Sequence, residues 1–107
     1  MVDIQVMSDR IAEEIEDAEK YIRDAMNNLD RNPDDADMYR KLSEDELNHA
    51  DILHTAVVKK IKKWKEDTGK EVPPDMQARY DVLHQEHMKK ANKVKLMIQV
   101  YKQDAMK

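Results

Sequence analysis

The amino-acid sequence predicts an all-α protein of three long antiparallel helices. Three observations predict it: composition, breaker placement and apolar periodicity. Charged residues make up 39% of the 107-residue chain and hydrophobic residues 40%, with one glycine, three prolines and no phenylalanine. Strands would need more β-branched and aromatic residues and more turn glycines. Helix breakers cluster in only two places, and between them apolar side chains recur every three or four residues, the signature of amphipathic helices. The length suits one domain with one modest core, spanning residues 1–107.

The first helix is expected over about residues 3–30, with Asp3 or Ser8 able to cap its free amides. Its apolar positions are Ile4, Met7, Ile11, Ala18, Tyr21, Ile22, Ala25 and Leu29. The stretch Asn27, Asn28, Asp30, Arg31 and Asn32 ends it. The second helix is expected over 33–67. Asn32 can cap it, Pro33 suits the first helical position, and Asp34 and Asp35 favour the positive end of the dipole. Gly69 is placed to close it in a left-handed conformation. Its inward stripe reads Tyr39, Leu42, Glu46, His49, Leu53, Val57, Ile61 and Trp64. Val72-Pro73-Pro74 forces an extended link. The third helix is expected over 75–103, with the stripe Met76, Tyr80, Leu83, His87, Ala91, Val94, Ile98 and Tyr101. Both links are short, so successive helices should be antiparallel neighbours. Three helices this long leave outer apolar positions uncovered, which points to a homodimer.

Several function classes are excluded. The chain has no cysteine, hence no disulfide, thiolate metal site or thiol catalysis. No Ser-His-Asp set or nucleotide fingerprint is present, and a single glycine cannot build a glycine-rich phosphate cradle. No apolar run approaches a membrane span. Met-Val-Asp-Ile-Gln lacks the basic-then-apolar pattern of a secretory signal. The expectation is a cytoplasmic protein without a membrane partner. Residues 1–54 hold 6 Lys and Arg against 16 Asp and Glu, and residues 55–107 hold 13 against 7. An acidic first helix lying beside a basic third helix accounts for this asymmetry. Lys59-Lys60-Ile61-Lys62-Lys63-Trp64-Lys65 reads as a snorkelling, dipole-compensating helix end. No fold motif supports nucleic-acid binding.

The candidate chemistry lies on the first two helices. The inward register 7, 11, 14, 18, 21, 25 is apolar except for Glu14, and the second stripe is apolar except for Glu46 and His49. A carboxylate and an imidazole three residues apart share one helix face. Glu14 lies 17 residues before Arg31, while Glu46 and His49 lie 14 and 17 after Asn32, so an antiparallel pair brings all three to one height. Two carboxylates in an apolar stripe are costly unless protonated, paired or bound to a cation. Iron or manganese suits such mixed ligands.

Glu14-Ile15-Glu16-Asp17-Ala18-Glu19-Lys20-Tyr21 resembles the first helix of the ferritin-like and rubrerythrin families, where a ligating Glu is followed one heptad later by a Tyr. Glu46-Leu47-Asn48-His49-Ala50 resembles their second-helix Glu-x-x-His. The resemblance covers roughly residues 8–60. It implies a ferritin-like bundle binding iron, with Glu14 and His49 as terminal ligands and Glu46 as a bridging one, and oxidation of ferrous iron by oxygen or peroxide. The full family fold has four helices, a second ligand set and a long crossover after the second helix. This chain has three helices, a short second link and no second Glu-x-x-His. The encapsulated ferritins use a half-site per chain and complete a di-iron centre by dimerisation, and that arrangement is the one implied here.

Two other readings compete. One is a non-catalytic helical interaction module in which His49 is hydrogen-bonded between Glu14 and Glu46 without metal. The other is a basic-face binder of anionic polymers. His84, Glu86 and His87 offer further ligand types, with His87 on the inward stripe and nearer the height of His54 than of His49. His54 reads as a boundary residue.

Overall fold

The computed structural model describes residues 2–107, and these form three helices and no strand. α1 spans Val2–Asn28, α2 Pro33–Thr68 and α3 Pro74–Ala105. Asn32 precedes α2 without a side-chain capping bond, and Pro33 opens the helix as expected. Gly69 closes α2 at φ 64°, its amide bonded to the Lys65 carbonyl. That left-handed position is open to glycine at little cost. α1 already runs at Val2, ahead of Asp3 and Ser8, and Ser8 is buried within it. Ser8 therefore serves packing, not capping.

The molecule is a rod of 57 × 18 × 18 Å. α1 packs closely along α2 and less extensively against α3, while the α2 and α3 backbones approach each other least. The buried residues of α1 are Ser8, Ile11, Ile15, Ala18, Ile22 and Ala25, alternating steps of three and four. Those of α2 are Ala36, Ser43, Ala50 and Val57, spaced by seven. A seven-residue repeat keeps one seam of a helix facing its partner along the whole length. Small residues on both sides of this seam let the helices approach closely. At its centre the fully buried Ser43 hydroxyl donates to the Ala18 carbonyl at 2.7 Å.

This seam corrects the stripe expected for α2. Of its residues only Val57 is buried; Leu42, Glu46 and Leu53 are half-buried on one flank and His49 is exposed. Hydrophobicity alone passes over Ala36, Ser43 and Ala50, yet their small size fits them for the line of closest contact. In α1 the expected register splits in the same way. Ile11, Ala18 and Ala25 are buried, while Met7, Glu14 and Tyr21 are half-buried on the flank. α3 buries His87, Val94, Ile98 and Tyr101, all on its expected stripe, but leaves Met76 exposed.

The charge asymmetry resolves into cross-helix ion pairs. Lys93 of α3 meets Glu19 of α1 at 2.9 Å, and Lys102 of α3 meets Glu44 of α2 at 2.8 Å. The Lys93 ammonium bonded to Glu19 lowers that carboxyl's pKa. Burial raises the Glu44 pKa, but Lys102 and Arg40 outweigh it and hold the group low. Among the described residues, no helix is long and apolar enough to cross a membrane.

Candidate metal centre

The flank outside the α1–α2 seam carries the polar cluster. Glu46 and His49 stand one turn apart on α2, and Glu14 faces them from α1. His49 Nδ1 lies 3.6 Å from Glu14 Oε2 and 3.8 Å from Glu46 Oε1. One donor atom from each residue lies within 4.8 Å of the other two. Among the described residues this is the one group of three acidic or imidazole side chains that close together.

The seam sets this meeting. Ala18 follows Glu14 by one turn and Ser43 precedes Glu46 by three residues, so the Ser43–Ala18 hydrogen bond fixes the relative height of the two turns that carry the cluster. One heptad away on the same flank, Tyr21 and Tyr39 stack with ring centroids 6.4 Å apart. All three sequence-predicted residues are thus brought together, at the height that counting from the first turn anticipates.

Their environment differs from the expected apolar core. The Glu14 and Glu46 side chains are 22% and 19% exposed, and that of His49 is 53% exposed. The carboxylates border the packed seam while the imidazole stands at its open edge. A site at this boundary avoids most of the desolvation cost of buried charge and leaves a path from solvent. The separations exceed hydrogen-bond length, so the imidazole does not bond either carboxylate directly. Among the described residues, neither Glu14 nor Glu46 meets a lysine or arginine within 4.0 Å, in contrast to Glu19 and Glu44.

The donor set fits a divalent first-row cation. Two carboxylates and one imidazole give mixed hard and borderline ligands, and the carboxylate charges balance the ion. Metal–ligand bonds of about 2.1 Å place neighbouring donors roughly 3–3.5 Å apart, so donors spread over as much as 4.8 Å close on an ion only by side-chain shifts on the order of an ångström.

The other candidate ligands fall elsewhere. His54, His84, Glu86 and His87 take no part in this cluster. His54 is half-buried, a boundary position as expected, and its ring stacks on that of His84. The sequence reading missed Ser43 and Ala50, the residues that hold the two helices in register at the site. The signal for them was present as the seven-residue repeat of small residues 36, 43 and 50.

No protein family matches the chain, and no curated protein or solved structure was found to be similar to it.

Proposed function

We propose that this chain is a ferritin-like, cytoplasmic helical protein that binds iron through Glu14, Glu46 and His49. The observation that carries this reading is the convergence of three donor atoms within 4.8 Å on two carboxylates that have no lysine or arginine partner. The cross-helix contacts Asp3–Lys60, Glu14–His49 and Ala18–Ser43 run in opposite order along α1 and α2, which supports the antiparallel arrangement that the ligand geometry requires. Glu14 and Glu46 supply the negative charge and His49 a neutral nitrogen. The open edge at His49 leaves positions for an oxidant or a further ligand. The chemistry that iron supplies there is oxidation of the ferrous ion by oxygen or peroxide; manganese is the alternative ion.

With chelator removed and oxygen excluded, ferrous iron at about 100 times its dissociation constant should stabilise the protein by about 2.7 kcal/mol. Glu46→Ala should abolish that rise in melting temperature, and Lys63→Ala should leave it intact. Wild-type protein that shows neither bound metal on elemental analysis nor a thermal shift overturns the reading.

The resemblance to half-site ferritins leads to a homodimer in which two such clusters form a di-iron centre. Exposed Ile52, Val82, Val58 and Leu96 are apolar positions that a second copy can cover. Light scattering at micromolar concentration should give twice 12.6 kDa. A clean monomer removes the shared di-iron centre and leaves a mononuclear site. The metal-free interaction module is favoured by one observation, that His49 already lies within ion-pair range of both carboxylates. Loss of iron binding with an intact dimer would promote it.

A further inference from the structure

A second cluster, separate from the metal centre, joins α3 to the rest of the molecule. His54 of α2 stacks on His84 of α3 with ring centroids 4.5 Å apart and planes 20° from parallel. Tyr80 stacks on the same His84 at 6.2 Å. One turn further along α3, His87 is only 8% exposed, and its Nε2 is buried without a hydrogen-bond partner. Ser8 and Ile11 of α1 close the layer from the third side. Among the described residues these imidazoles do not form a group as tight as the carboxylate–histidine cluster.

We propose that the His54–His84–His87 layer is an acid-sensitive latch that holds α3 against α1 and α2 at neutral pH and releases it below about pH 6.5. The physical reason is that the layer tolerates neutral rings and opposes charged ones. A protonated His87 would place an N–H donor at Nε2 where no acceptor faces it. A protonated His54 would put a cation face to face with the His84 ring, 4.5 Å away between centroids. The charged groups around the layer are few. The α1 side contributes Ser8, Ile11 and Ile15, none of them ionisable. α2 contributes Asp51, and α3 contributes Glu86, Lys90 and Lys95, together with the phenol of Tyr80. Burial, then the charge on His84, lowers the His54 pKa, and Asp51 only partly opposes this. Burial, His84 and Lys90 lower that of His87 against the pull of Glu86.

A histidine whose folded pKa is depressed takes up protons more readily in the released state. Its contribution to stability is complete above the ordinary value near ~6.5 and is lost as the pH falls below it. α3 is the element to go, because α1 and α2 share the long seam while α3 leans on α1 over a smaller contact. The ion pairs Lys93–Glu19 and Lys102–Glu44 do not account for the response, since both carboxyls are held below their ordinary values and stay ionised at pH 5.5. Release uncovers the buried Ile11, Ile15, Val94 and Ile98.

Hydrogen exchange followed by mass spectrometry on the full chain with chelator present, corrected for intrinsic rates, tests the latch independently of iron. Between pH 7.5 and 5.5 the opening constant of α3 peptides should rise roughly 10- to 100-fold, up to about tenfold per imidazole per pH unit. Peptides around Ile22 and Ser43 should change less than about threefold. His54→Gln with His87→Gln should flatten the α3 response. The milder His54→Gln alone, at a half-buried position, should reduce it, so the test stands if the double variant does not fold. Equal loosening of all three helices, no loosening at all, or a wild-type response in both variants overturns the proposal.

Discussion

Replacement of Ile22 by alanine should destabilise the protein by about 2–5 kcal/mol, the range for truncating a buried Leu, Ile or Met. Ile22 is fully buried, the largest such side chain among the described residues, and it belongs to the apolar core. Its loss removes apolar contact and leaves a void into which the surrounding helices collapse only partially. For a domain whose total stability is on the order of 5–15 kcal/mol, the melting temperature should fall by roughly 10 °C or more. Ile52→Ala, at a position 60% exposed, should change the monomer's stability by no more than about 0.5 kcal/mol. Denaturation midpoints of the two variants, measured with equal slopes, make the comparison. Equal effects at both positions would mean that the cluster containing Ile22 is not the core.

Ser43→Leu should have the second large effect, and it reaches the proposed metal site without touching Glu14, Glu46 or His49. Ser43 is fully buried at the closest approach of α1 and α2, with its hydroxyl on the Ala18 carbonyl. Leucine adds three carbon atoms where no space exists and removes the donor. Overpacking of this kind typically costs about 1–3 kcal/mol and is relieved by backbone shifts. Here the shift open to the chain is separation of the two helices, which moves Glu14 away from Glu46 and His49. The variant should therefore melt earlier and also lose the ferrous-iron stabilisation. Ser43→Ala, which keeps the close approach and loses one hydrogen bond worth about 1 kcal/mol, should retain iron binding. A Ser43→Leu protein that binds iron as the wild type does would show that the site does not depend on the seam.

The two substitutions also mark where the sequence was legible. Three helices, their ends to within two residues and the closing role of Gly69 followed from breakers and periodicity, which are local properties of the backbone. The α3 stripe was legible because its buried side chains are large. The α2 stripe was misread by one position. Its contact line is Ala36, Ser43 and Ala50, and side-chain hydrophobicity ranks these below Leu42 and Leu53, which flank it. In α1 the expected inward register likewise ran through the half-buried Met7, Glu14 and Tyr21, one position away from the buried Ser8, Ile15 and Ile22. The meeting of Glu14, Glu46 and His49 was nevertheless anticipated, because height along two helices joined by a short turn depends on residue counting and little on which side faces inward.

The amino-acid sequence by itself determined the helical class, the number and length of the helices, and the three side chains that share one height. The tertiary structure decided which side of that height they occupy. Packing of small residues turns Glu14 and Glu46 to the flank and His49 to its open edge, making an accessible cluster where a purely apolar reading expects a buried one. It also decided that His54 meets His84, because contact between residues thirty positions apart depends on how α3 lies across both other helices. Local sequence sets rise and period along each helix; the rotation of one helix against another is set by side-chain size at the line of closest contact, and that is a property of the pair.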